Sequence, residues 1–287
     1  MTFYLITTDH LETQLWFRDD EDFRAGMNYV AVVSFLLGID VLAFILMSNH
    51  VHFVLASSEE DAWRFITEFK RLFSHYLSRK YQTRELLRRN GVDVRPLILG
   101  DESIERAIAY VQMNCVAANI CLNPADYLWG TGNCFFRTTA DKGRRLGEFS
   151  YKSLTRLLHT KQDLPEGWLL GDDGFILPGS YVNKDFVENL FRTPKRMSYF
   201  LQNSSKARRR LELKEMDLPS FRDQLILSAM ADLCQSLFHQ RDIRDLDAEQ
   251  QAVLVAQIRR RFSADANQIA RVTGIPYQEI ARMLQAF

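Results

Sequence analysis

The run Val41-Leu42-Ala43-Phe44-Ile45-Leu46-Met47-Ser48-Asn49-His50-Val51-His52-Phe53-Val54-Leu55 decides the fold. It reads as one β-strand that is apolar on both faces, hence a central strand of a covered sheet. Side chains alternate along a strand. Leu42, Phe44, Leu46, Ser48, His50, His52 and Val54 then share one face, and Asn49, Val51, Phe53 and Leu55 the other. Two imidazoles thus sit next but one on a greasy face. Burying them without partners costs a few kcal/mol. Either both bond neighbouring carbonyls as core histidines, or they aim at one metal ion, since neutral imidazole is a common ligand. Several metalloenzyme classes use His-X-His. Amidohydrolases and metallo-β-lactamase-like hydrolases need further His and Asp motifs, and this chain has six His and no Asp-His pair after His52.

Outward from that strand, Phe3 to Thr8 is a first strand, and Asp20 to Leu37 has helical spacing that Gly38 ends. A helix from about Ala62 to Tyr81 buries Phe65, Phe69, Phe73 and Leu77. Lys70, Arg71, Arg79 and Lys80 lie elsewhere on it, as a solvated face or a phosphate-tracking groove. Val92 to Leu99 is a strand that Pro96 pushes to an edge. A helix from Ser103 to about Ala118 places Tyr110 and Asn114 one turn apart. The unit is α+β, with helices mainly on one face of the sheet. Residues 1–140 form this domain and 141–185 a linker region. Residues 186–287 form an all-helical C-terminal region. It carries the basic cluster Lys206, Arg208, Arg209 and Arg210. It also carries a helix-turn-helix-like segment from Asn267 to Leu284 with a turn at Gly274 and Pro276.

Lys plus Arg and Asp plus Glu both number 36, so any nucleic-acid surface must come from local placement. The apolar runs Val30 to Leu37 and Val41 to Met47 are too short to span a bilayer. Four cysteines without a Cys-X-X-Cys pair read as reduced thiols, which points to the cytoplasm.

Leu46 to Leu55 closely resembles the His-hydrophobic-His strand of the single-tyrosine HUH transposases of small bacterial insertion sequences. The closest likeness is to their REP-associated tyrosine transposase branch. Ala109 to Ile120 resembles that family's tyrosine helix, and Tyr127-Leu128-Trp129 the aromatic segment after it. The likeness covers roughly residues 1 to 136. It implies a ferredoxin-like palm with a central His-X-His strand. It further implies His50, His52 and Asn114 as ligands of a divalent ion (Mg or Mn), Tyr110 as nucleophile, and single-stranded or hairpin DNA as partner, with a homodimer as one assembly. The implied activity is metal-dependent single-stranded DNA cleavage and strand transfer. The alternative is a DNA-binding regulator derived from such an enzyme, its palm catalytically silent.

Overall fold

The apolar run from Val41 to Leu55 is two strands, not one. β2 (Asp40–Met47) and β3 (His50–Ala56) pair antiparallel, with Met47 opposite His50, so Ser48 and Asn49 form a two-residue hairpin loop. The register shifts at a bulge between Val41 and Ala43. The two-residue turn, not the bulge, changes which β2 residues share the histidine face. Ile45, not Phe44, lies opposite His52, and Met47 lies opposite His50.

The computed structural model describes residues 1–9, 15–82, 87, 90–205 and 221–285. β1 (Phe3–Thr8), α1 (Asp20–Leu37), β2, β3, α2 (Glu59–Tyr81) and β4 (Val92–Leu97) follow in that order. They build an antiparallel sheet of order β2-β3-β1-β4. β3 is hydrogen-bonded on both sides. β4 is an edge, where Pro96 costs no ladder bond to an outer neighbour. The other edge is covered. Leu46 N–H donates to Trp129 O at 2.9 Å and Thr131 N–H to Phe44 O at 3.0 Å. Gly130 lies so close that a Cβ there would sit 2.7 Å from Phe44 O.

Both faces of the sheet are covered, as strands apolar on both faces require, and the helices are divided between the two faces rather than lying mainly on one. Phe53 meets Phe65 and Phe69 of α2 at ring distances of 5.1 and 5.4 Å. The opposite face carries α3 (Ser103–Gln112), whose Tyr110 meets His52. Alternation along β3 requires this split, because 52 and 53 point to opposite sides.

A buried polar clamp joins α1 to α2. Asp22 is fully buried and accepts from Arg18 N–H, Tyr76 Oη, Tyr81 Oη and Lys80 Nζ at 2.7, 3.1, 2.8 and 2.9 Å. Lys80 also bonds Asp19 and Glu21. Burial works against the Lys80 charge, and the three carboxylates more than offset it, raising its pKa. Partial burial likewise opposes the Asp19 charge. Lys80, the Asp22 N–H and Tyr81 together hold its carboxyl below the ordinary value, so its contribution is lost as pH falls through the carboxylate range. Asp22→Ala strands two hydroxyls and a backbone N–H. It should lower stability by about 3 kcal/mol, read as a shift of the urea midpoint with unchanged slope. A change under about 0.5 kcal/mol would show the clamp contributes nothing net.

Residues 141–185 are not a bare linker. Leu146, Leu158 of α5 (Tyr151–Leu158), Leu170, Phe175, Ile176 and Val182 join the core around the sheet, as do Phe191, Met197 and Phe200 further on. The helical stretch from 184 to 202 is two helices, α6 (Lys184–Phe191) and α7 (Pro194–Gln202), because Pro194 starts a new helix. A separate apolar cluster from Ile226 to Ile280 defines a second unit, with four α-helices among the described residues. Among the described residues the first cluster runs to Phe200 and the second begins at Ile226. Arg222 pairs with Asp20 at 3.1 Å and Gln224 Nε2 donates to Phe17 O at 2.9 Å, tying the units together. Among the described residues no helix is long and apolar enough to cross a membrane, and all four cysteines are free and buried.

Candidate active site: a histidine pair facing a tyrosine

β3 and α3 bring together residues far apart in sequence. The His50 and His52 rings lie 4.9 Å apart at 81°, and the His52 ring meets Tyr110 at 5.4 Å, also edge-on. His50 and His52 are buried, Asn114 is buried, and Tyr110 is half-buried. The phenol is thus the member of the set within reach of a large substrate.

The hydrogen bonds orient both imidazoles. His50 Nδ1 lies 2.9 Å from Asn49 Oδ1, and His52 Nδ1 lies 3.2 Å from Thr7 Oγ1. An amide oxygen only accepts, so His50 carries its proton on Nδ1 in that contact, and the same tautomer suits His52 donating to Thr7. That leaves each Nε2 with its lone pair, and both Nε2 atoms are buried. This is how proteins prepare imidazole for a metal, with the second nitrogen fixed by an oxygen partner. Asn49 and Thr7 were missed by sequence reading. Asn49 is displaced from its expected place by the hairpin loop, and Thr7 arrives from β1 directly opposite His52.

Asn114 stands differently from the expected picture. α3 stops at Gln112, and a short helix, α4 (Asn114–Ala117), follows the break at Met113. The Asn114 amide nitrogen donates to Tyr110 O at 2.8 Å and Val111 O at 3.2 Å, capping the end of α3. The nitrogen so engaged leaves Oδ1 as the amide atom with the right chemistry for a cation. Among the described residues no group of three or more His, Cys, Asp or Glu could hold a metal ion.

The basic residues expected on α2 are mostly engaged within the fold. Lys80 belongs to the buried clamp. Lys70 Nζ donates to Asn90 O at 2.6 Å, and burial lowers its pKa. Arg71 is paired with Glu68 through Nε at 2.8 Å. Arg79 is exposed. Lys206, Arg208, Arg209 and Arg210 lie outside the described residues.

No protein-family model matches this chain, and no curated protein matches it. Among solved structures it is similar to one described as the structure of the REP-associated tyrosine transposase bound to a REP hairpin. The alignment has 13% identity and a TM-score of 0.35, and covers 58% of this chain and 89% of the other.

Proposed function

We propose that this chain cuts and rejoins single-stranded DNA through Tyr110, on a ferredoxin-like palm of the tyrosine-transposase kind, with a divalent ion held by His50, His52 and Asn114. The observation that supports this reading most is the edge-on approach of Tyr110 to His52 at 5.4 Å, across 58 residues of sequence, beside two buried imidazoles whose Nδ1 atoms each lie within hydrogen-bond distance of a side-chain oxygen.

A divalent ion there would supply Lewis-acid polarisation of a phosphate oxygen. The protein's own residues do the rest. Tyr110 Oη attacks phosphorus, the bond from phosphorus to the 3′ oxygen breaks, and the departing oxygen takes a proton to become a 3′-hydroxyl. The 5′ phosphate stays on the tyrosine as a diester. Attack by another 3′-hydroxyl reverses the step and joins strands without ATP. Two imidazoles and an amide suit Mn²⁺ better than Mg²⁺ by ligand type.

Incubation with a pool of hairpin-bearing single strands and Mn²⁺, followed by denaturation, should leave DNA covalently bound to protein. Metal binding without an adduct on any strand would sink the reading. That outcome would favour the second one, a DNA-binding regulator with a silent palm, to which the lack of a three-ligand His, Cys, Asp or Glu cluster among the described residues gives weight.

A further inference from the structure

The second unit contains α8 (Asp223–Phe238), α9 (Ala248–Phe262), α10 (Ala266–Thr273) and α11 (Tyr277–Gln285). α10 and α11 are joined through Gly274, Ile275 and Pro276, with Gly274 in the left-handed region at φ 74. A side chain would be strained there. Ile269, Ala270, Ile275 and Ile280 are buried between the two helices and α9. α10 is held rigidly. Asp223 of α8 is fully buried and accepts from Gln268 Nε2 at 2.8 Å and Arg271 Nε at 3.0 Å.

That framework fixes which side of α11 faces out. At roughly 100° per residue, Ile280, Met283 and Leu284 form the inward stripe, and Gln278, Arg282 and Gln285 fall opposite it. All three of the latter are exposed. Arg282 Nε makes one long contact to its own helix, 3.4 Å to Gln278 O. The unit is also split in charge. From residue 223 to 250 six acidic residues meet two arginines. From 255 to 285 four arginines (Arg259, Arg260, Arg261, Arg282), besides Arg271 which is paired with the buried Asp223, meet two acidic residues, Asp265 and Glu279. Three of those arginines form the last turn of α9, where the helix dipole favours cations as well.

We infer that this unit reads double-stranded DNA, with α11 as the recognition helix in the major groove. Gln278 and Arg282 contact base edges, and Arg260 and Arg261 contact phosphates. An exposed, polar stripe of Gln and Arg on the second of two helices joined by a three-residue turn has the side chains that pair bidentately with adenine and guanine. A protein partner would be expected to meet an apolar or aromatic core on this stripe, and the stripe carries none. The inference adds a duplex partner to the single-strand chemistry proposed above and does not depend on it.

The test uses the full chain and a pool of duplexes with a random core of about 20 base pairs, selected at about 50 mM and 200 mM salt. The wild type should enrich a sequence motif. Gln278→Ala with Arg282→Ala should erase the motif and weaken the enriched duplex about 100-fold or more. Arg282→Lys keeps the charge and should lose preference at one guanine position while keeping the salt slope. Arg260→Ala with Arg261→Ala should weaken enriched and scrambled duplexes alike and flatten the salt slope by about 2. Circular dichroism checks that each variant is folded. The inference is overturned if no motif emerges, or if the folded Gln278/Arg282 variant keeps wild-type affinity and motif. Covalent adduct formation on single strands is measured on the same preparations. A motif without an adduct sinks the Tyr110 reading and leaves this one, and an adduct without a motif does the reverse.

Discussion

Tyr110→Phe leaves a folded protein that binds single-stranded DNA and forms no covalent adduct. The substitution removes one oxygen from a half-buried ring whose centroid lies 5.4 Å from that of His52, and it keeps the ring itself. Stability should therefore change by roughly 1 kcal/mol or less, while turnover falls by on the order of 10⁴-fold or more, as expected when a covalent nucleophile is lost. The rival tyrosines are poorly placed to substitute. Burial and the Asp22 carboxylate push the phenols of Tyr76 and Tyr81 well above their ordinary value. Burial alone does most of this for Tyr127, which donates to Leu46 O at 2.8 Å, and pushes Tyr29 up to about 12. A nucleophile must give up its proton in the reaction, and these four are arranged to keep theirs. Labelled single strands should show the fragment 3′ of the cut attached through its 5′ phosphate, and peptide mapping should land on Tyr110. An adduct on another tyrosine, attachment to the opposite DNA end, or full activity in the Phe variant would each overturn the assignment.

Much of the frame was legible because local signals agreed with tertiary ones. β1 and α1 fall on the residues that periodicity and caps indicate, and β4 takes the edge that Pro96 demands. The hairpin was not legible from alternation. A strand buried on both faces looks the same before and after a two-residue turn, so Ser48-Asn49 passed as two more strand positions. Its length was the available warning, since fifteen residues is far beyond the usual five or six. The two histidines kept their common face only because the turn precedes them both. The break at Met113 depends on the Asn114 amide reaching back to Tyr110 O and Val111 O, a local competition that spacing does not reveal. The Asp22–Lys80 clamp and the Thr7–His52 bond join residues 58 and 45 apart. No local pattern encodes such pairs. The segment 141–185 contributes scattered apolar residues without period, and its packing into the palm appears only in three dimensions.

His52→Ala and His50→Ala should each abolish adduct formation and lower Mn²⁺ affinity by well over the 100-fold typical of outer-shell losses. Direct titration calorimetry with Mn²⁺ reads this apart from activity. The two variants should differ in stability. His52 is fully buried, opposite Ile45 in an internal strand, so its removal leaves a cavity and should cost about 2–3 kcal/mol. His50 sits at the hairpin end and keeps slight exposure, so its loss should cost less. His52→Gln separates the two effects, since it restores volume without an imidazole. It should recover most of the stability and none of the adduct. Outer-shell variants extend the test. Thr7→Val removes the partner of His52 Nδ1, and Asn49→Ala removes that of His50. Each frees an imidazole to rotate or change tautomer and should weaken Mn²⁺ binding by about 10- to 100-fold. Core histidines without a metal would behave differently. The Ala variants would lose stability, Mn²⁺ binding would be absent in the wild type, and Thr7→Val would leave adduct formation untouched. That pattern would remove the metal from the mechanism and leave Tyr110 to be explained on other grounds.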